Sequence, residues 1–278
     1  MLGDLLDNVR RRRPLIHSIT NYVTANDCAN ILLACGGSPI MADDPGEVEE
    51  ITALCGGLNI NIGTLNARTI PAMLAAGKKA NELGHPAVLD PVGAGASALR
   101  TDTALRLLEQ VRFSVIRGNR SEIKALALGR GPAPRASAQG VDADAGDAVT
   151  ADTLDEAVRF VKGFAQRTGA VAAVTGAIDI VADGGRAYCF FNGHPMMSSV
   201  TGTGCQLSAM TAAFVAANPD RTLEAAAAAV CAMGVCGELA RRRLGEHDGN
   251  SSYRNYIIDA AYRLDGGTLD RMANYKTI

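Results

Sequence analysis

Apolar and polar positions along this chain follow two alternating periods. Residues 1–13 place Leu2, Leu5, Leu6 and Val9 on one helical face before Pro14 breaks the run. Residues 27–34 again have helical spacing and stop at Gly36-Gly37. A short extended piece over 38–43 precedes a helix starting near Pro45. From residue 58 the pattern predicts strands over 58–62, 86–90, 113–116 and 170–175. Between them lie helices over 64–83, 102–111, 121–128 and 154–167. Segments 179–182 and 186–191 read as a hairpin around Asp183-Gly184-Gly185. Helices over 205–217, 222–243 and about 252–264 close the chain. Such alternation predicts right-handed βαβ units in an α/β fold, a mainly parallel central sheet with helices on both faces. No repeat or linker divides residues 1–278, so a single domain is expected.

Three stretches depart from this pattern. Residues 206–217 carry no charge and are apolar on nearly every face, the pattern of a buried helix. Val200-Thr201-Gly202-Thr203-Gly204-Cys205 leads into it. Glycines let a ligand approach the backbone, and a helix start offers free N–H groups with a partial positive charge. The stretch therefore reads as an anion cradle or as a tight turn holding a small core cysteine. In the first turn, a thiol pKa is expected to be lowered. The second stretch runs from Ser18 to Asp27, too rich in hydroxyl and amide side chains for an ordinary core segment. It forms caps and turns or lines a polar site. The third, 129–151, is rich in Gly, Ala, Pro and Asp and reads as a mobile surface loop.

Composition narrows the function classes. With 47% hydrophobic and 20% charged residues, the chain has a large core. A net charge of −2 leaves no basic field for nucleic acid. An acid at position 4 without a following apolar run is unlike a secretory signal. The most apolar stretch, 225–237, is flanked by Glu224 and Glu238 and is too short to span a bilayer. Seven cysteines without a CxxC pair point to a reducing, cytoplasmic compartment. Four histidines, none at i, i+4, argue against zinc.

Ligands of open α/β sheets bind beyond the carboxyl ends of the strands. Four strand ends here join a polar group to a glycine: Asn61-Ile62-Gly63-Thr64, Asp90-Pro91-Val92-Gly93, Arg117-Gly118-Asn119 and Val174-Thr175-Gly176. Asn119 with Glu122 also fits a helix capping box, and Asp90 before Pro91 fits a turn. Arg117 at a strand end calls for an anion or carboxylate partner. Gly93-Ala94-Gly95-Ala96-Ser97-Ala98 matches a dinucleotide fingerprint. Asp90-Pro91 intervenes before its first glycine, however, and the next strand ends in Arg117 rather than a ribose-binding acid.

Asn21-Tyr22-Val23-Thr24, Ser38-Pro39-Ile40-Met41, the four strand ends above and Val200 to Cys205 come in an order that resembles the hydroxyethylthiazole kinases of the ribokinase-like superfamily. The resemblance runs from about Leu15 to about Arg263. It implies a ribokinase-like three-layer sandwich that transfers the ATP γ-phosphate to the primary alcohol of 4-methyl-5-(2-hydroxyethyl)thiazole, a salvage step of thiamine synthesis. On this resemblance Met41 and Gly202 would contact the thiazole, with Asn21 and Gly63 on the same side. Arg117 and Thr175 would meet the nucleotide phosphates, joined by Asn119. Asp90 and Glu122 would lie near Mg²⁺, Glu122 through water. Cys205 would stand where most of the superfamily has a catalytic Asp. The resemblance also implies a homotrimer with sites between subunits, and no nucleic-acid or membrane partner. A kinase for another small alcohol, such as a hydroxymethylpyrimidine, is the alternative. A nicotinamide oxidoreductase built on Gly93 to Ala98 and a catalytically dead thiazole binder are the rivals from other classes.

Overall fold

The computed structural model describes residues 1–129, 149–150 and 152–278. The loop expected over 129–151 lies almost wholly outside them. The chain begins with α1 (Gly3–Arg12), whose Leu5, Leu6 and Val9 are buried as their spacing requires. Pro14 then leads into a strand, β1 (Leu15–Ile19), where the sequence suggested a break and polar turns. A proline at the start of a strand leaves the ladder intact. The polar residues inside β1 are satisfied by tertiary contacts. His17 bonds to Thr52 Oγ1 and the Ala42 carbonyl, and Ser18 Oγ accepts from Asn59 Nδ2 at 3.0 Å.

Next come α2 (Ala25–Cys35), β2 (Ser38–Ile40), α3 (Val48–Leu54), β3 (Gly57–Asn61), α4 (Thr69–Leu83) and β4 (Ala87–Asp90). They are followed by α5 (Ala98–Gln110), β5 (Val115–Asn119), α6 (Arg120–Leu128), α7 (Leu154–Thr168) and β6 (Val171–Thr175). The expected hairpin is β7 (Asp179–Ala182) and β8 (Ala187–Phe190). α8 (Thr203–Ala217), α9 (Thr222–Arg243), α10 (Asn250–Arg263), α11 (Gly266–Met272) and β9 (Tyr275–Thr277) complete the described chain. Two boundaries differ from the sequence pattern by four residues or more. α4 starts five residues later than 64, after a turn in which Asn66 Oδ1 accepts from the Thr69 amide. α5 starts four residues earlier than 102, because Ser97 Oγ caps it through the Arg100 amide.

The nine strands form one sheet in the order β2-β1-β3-β4-β5-β6-β7-β8-β9. The first six are mutually parallel and the last three pair antiparallel. Successive strand residues point to opposite faces, and the two cores show it. Val88, Val115, Val171 and Ala173 pack toward α1, α2, α8, α9 and α10. Leu89, Ile116, Ala172 and Val174 pack toward α4, α5, α6 and α7. The sheet is thus covered on both faces, the arrangement expected of parallel strands. α8 is buried along nearly its whole length. Among the described residues, Pro219–Arg243 is long and apolar enough to cross a membrane, yet 83% of its apolar window is buried inside the fold. It is a core helix against α8 and α10.

Candidate active site

Strand parity aims the key side chains. Asp90 is two residues beyond Val88, Arg117 two beyond Val115 and Thr175 two beyond Ala173, so all three face α8. They stand at the carboxyl ends of three adjacent parallel strands. Arg117 Nη2 donates to Thr175 Oγ1 at 2.6 Å, and Arg117 Nη1 lies 3.7 Å from Asp90 Oδ1. Asp90 is wholly buried. Its Oδ2 accepts from Asn61 Nδ2 at 2.7 Å and from Ser208 Oγ at 2.8 Å, while Oδ1 has no hydrogen-bond partner. Burial pushes the Asp90 carboxyl above the usual range, and Arg117 opposes that rise.

α8 begins against this cluster. Gly202 caps it at φ +85°, a conformation that disfavours other residues. A Cβ at Gly202 would lie 2.3 Å from Thr24 Cγ2, and one at Gly204 would lie 2.3 Å from Arg117 Nη1. Both glycines are therefore required by close approach. They leave the first N–H groups of α8 beside the guanidinium, as the cradle reading expected.

Cys205 lines the cavity in the first turn, its Sγ 3.2 Å from Asn21 Nδ2. Here the expectation of a lowered thiol pKa is corrected. Burial pushes the thiol up and Asp90 adds to the rise, outweighing Arg117. The helix start does not compensate, because the sulfur is desolvated and close to a carboxylate.

Asn119 and Glu122 do form the capping box. Asn119 Oδ1 accepts from the Glu122 amide and Glu122 Oε2 from the Asn119 amide, each at 2.8 Å. Glu122 Oε1 also accepts from the Gly93 amide at 2.8 Å. That bond commits the first glycine of the dinucleotide-like motif to a carboxylate, which leaves no room there for a pyrophosphate. Glu122 is buried, and burial followed by Asp90 pushes its carboxyl up to about 7.

Two cavities meet at Arg117 and Gly204. One, of about 570 Å³, is lined among others by Asn21, Gly63, Asn119, Glu122, Gly202 and Cys205. The other, of about 560 Å³, is lined by Thr175, Asp179, Asn192, His194 and residues of α8 and α9. Asp179 is pushed up to about 6 by burial. The structure thus gathers Asn21, Gly63, Asp90, Arg117, Asn119, Glu122, Thr175, Gly202 and Cys205 in one place. Met41 does not line either cavity. It follows the edge strand β2 and is 37% exposed.

Arg100 and Ser208 were not singled out from the sequence, and Asn61 and Thr24 were named only within their motifs. Arg100 donates to the Val92 carbonyl at 2.9 Å and the Gly63 carbonyl at 2.7 Å, joining the loops after β4 and β3. Asn61 is register partner to Asp90, a signal available once β3 and β4 are known to be neighbours. Ser208 is one helical turn after Gly204 and so shares its face.

A parallel sheet with two helical layers, an antiparallel extension and a strand-end phosphate-like cradle define a ribokinase-like kinase fold. Pyridoxal kinase from Staphylococcus aureus in complex with AMP-PCP shares it at a TM-score of 0.60 and 14% identity, over 95% of this chain and 97% of that one. Much closer is the hydroxyethylthiazole kinase structure from Pyrococcus horikoshii OT3, with a TM-score of 0.86, 37% identity and coverage of 100% and 98%. Hydroxyethylthiazole kinase from Clostridium acetobutylicum is 65% identical over 277 residues, 100% of both chains. That from Desulfovibrio desulfuricans is 49% identical over 286 aligned positions, covering 100% of this chain and 99% of the other. The model of the hydroxyethylthiazole kinase family matches residues 6–266. The chain belongs to the hydroxyethylthiazole kinase family.

Proposed function

We infer that the chain, acting as one domain, phosphorylates the primary hydroxyl of 4-methyl-5-(2-hydroxyethyl)thiazole with ATP, within thiamine salvage. The observation that carries this is the meeting of Arg117, Asp90 and the start of α8 at the junction of two cavities. We assign the cavity lined by Asn21, Gly63 and Gly202 to the small alcohol and the one lined by Thr175 to the nucleotide. Arg117 and Thr175 face the phosphates from the strand ends, with Asn119 beside them. The N–H groups of Thr203, Gly204 and Cys205 receive the charge of the transferred group. Phosphoryl transfer has a loose transition state in most analyses, so such positioning and charge stabilisation do most of the catalysis. Cys205 Sγ is the acceptor we assign to the hydroxyl proton, and its raised pKa leaves little thiolate present near neutral pH to take that proton up.

The residues present fit Mg²⁺, which binds through one or two carboxylates plus water and phosphate oxygens. Asp90 would hold it through the buried Oδ1 that has no hydrogen-bond partner. Glu122, with both oxygens accepting from amides, would act through water. When bound, Mg²⁺ supplies charge neutralisation at the phosphates.

We further propose a homotrimer, in a reducing cytoplasm, with the thiazole held by Asn21, Gly63 and Gly202 of one subunit and Met41 of a neighbour. The exposure of Tyr22, Val23 and Met41 supports this, since exposed apolar side chains suit burial by another copy. All seven cysteines are free. The test is ATP consumption with and without the thiazole alcohol, with hydroxymethylpyrimidine as a second acceptor. Stimulation by the thiazole is expected. Background turnover with Mg²⁺ and thiazole present would overturn the reading.

A further inference from the structure

Two asparagines lie between Asp90 and Cys205, and the role of neither is explained by packing alone. Asn61 is 1% exposed and Asn21 5%. Asparagine amides can face two ways, and here backbone groups decide both. The Gly63 N–H can only donate, so the Asn61 atom 2.9 Å from it is Oδ1. Asn61 Nδ2 must then face Asp90 Oδ2, at 2.7 Å. The Thr24 N–H likewise can only donate, so the Asn21 atom 3.1 Å away is Oδ1, which also accepts from Thr24 Oγ1 at 3.0 Å. Asn21 Nδ2 is thereby turned toward Asn61 Oδ1, at 3.1 Å, and toward Cys205 Sγ, at 3.2 Å.

We propose that Asn61 and Asn21 form an amide relay that ties Asp90 to Cys205 and keeps an N–H donor on the sulfur, making both of them positioning residues. The relay runs through fixed orientations. Asp90 and Gly63 hold Asn61, Asn61 and Thr24 hold Asn21, and Asn21 presents its donor to the thiol. A donor at this point favours the thiolate, which accepts hydrogen bonds more strongly than the thiol does. It works against burial and Asp90, while Arg117 acts in the same sense as the donor. Cys28 of α2 is the other titratable group facing the sulfur. The relay also explains why polar residues are concentrated after β1. Asn21 and Thr24 need each other to hold one orientation in a buried place.

The proposal rests on the kinase reading only where turnover is measured, and the thiol itself can be read without it. Iodoacetamide labelling of Cys205 in the full chain, followed by mass spectrometry of its peptide at one fixed pH, reports the thiolate. Asn21→Ala removes the donor without adding charge, and Asn21→Asp, nearly isosteric and still an acceptor for Thr24, adds a carboxylate beside the sulfur and serves as its charged comparison. Asn21→Ala is expected to slow Cys205 labelling by about three- to tenfold, since losing a charge-assisted hydrogen bond lowers the thiolate fraction while the greater basicity of the remaining thiolate partly offsets it. Asn61→Ala, which lies outside the cavity lining although its side chain is within reach of the sulfur, should slow labelling in the same direction. The double variant should label no more slowly than Asn21→Ala alone, because both act through one path. In turnover, Asn61→Ala should lower kcat with KM for ATP within about twofold. Unchanged labelling in Asn21→Ala, or losses that add in the double variant, would overturn the relay. If Asn61→Ala does not fold, labelling of the uncharged Asn21→Ala decides alone. A parent chain without turnover sinks the kinase reading and leaves the labelling result standing.

Discussion

Cys205 shows how a residue's surroundings can reverse what its position suggests. A helix start lowers a thiol pKa in isolation, but here burial and Asp90 raise it. A base with little thiolate present, in a site governed by positioning, predicts a moderate effect on removal. Cys205→Ala should lose about tenfold in kcat, below the roughly 10²–10⁴ expected of an indispensable base. Cys205→Asp should keep substantial turnover. Steady-state kinetics of both variants check this, and an Ala variant as fast as the parent with a dead Asp variant would reduce Cys205 to a small residue in a tight turn. Arg117→Ala should raise KM for ATP by roughly 30-fold, the loss of one charge-assisted phosphate contact worth about 2 kcal/mol. A shift under twofold would remove Arg117 from the nucleotide site. His17 gives a pH prediction. The Ala42 carbonyl accepts from Nε2, and Nδ1 lies 2.8 Å from Thr52 Oγ1, whose hydroxyl donates to the Val48 carbonyl. Burial holds its pKa below the ordinary 6.5. The unfolded chain therefore binds the proton more readily. The stability His17 contributes is complete above about pH 6.5 and is lost as pH falls through the lowered folded value. The difference in unfolding free energy between the parent and His17→Gln should rise with pH and level off above that point. A pH-independent difference would contradict it.

At the scale of elements, the start of α8 joins the backbone to the site. Gly202→Ala combines φ +85° with a Cβ 2.3 Å from Thr24 Cγ2, so it should cost about 1–3 kcal/mol and lower Tm together with activity. Gly204 does not have a positive φ, and its added Cβ would meet the end of the Arg117 side chain. Gly204→Ala should therefore behave like Arg117→Ala in ATP kinetics while Tm changes little. Thermal melts and KM measurements on the two variants separate strain from displacement. Periodicity revealed the elements with apolar faces, among them α8 and the hairpin of β7 and β8. It missed β1 because His17 and Ser18 sit in the middle of that strand. Their partners Thr52, Ala42 and Asn59 come from other segments, so no local pattern could have shown them satisfied. β9 and α11 were missed as well. β9 is a three-residue exposed edge that pairs, among the described residues, with β8 alone, far away in sequence.

For the whole molecule, the exposed Tyr22 and Val23 beside the site and the exposed Met41 after the edge strand β2 predict an assembly. Light scattering should give three times the chain mass, and an active monomer would refute the interface reading. Met41→Ala should then raise KM for the thiazole more than for ATP, although Met41 lies outside the cavities of its own chain. Kinetics with each substrate varied in turn test this.

The alternation of periods alone determined the class of fold, the buried nature of α8 and the glycine-lined ends of the strands. These are local properties, set by which residues can face a core and which conformations glycine permits. The grouping of Asn61, Asp90, Arg117, Thr175 and Ser208 was decided only by strand order. Segments 29 to 118 residues apart in sequence become hydrogen-bonded neighbours, or register partners, when the parallel sheet forms and α8 packs against it. The direction of the Cys205 and Glu122 shifts belongs to the tertiary structure for the same reason. Desolvation depends on what covers a group, and α8 with its neighbours supplies that cover only in the folded chain.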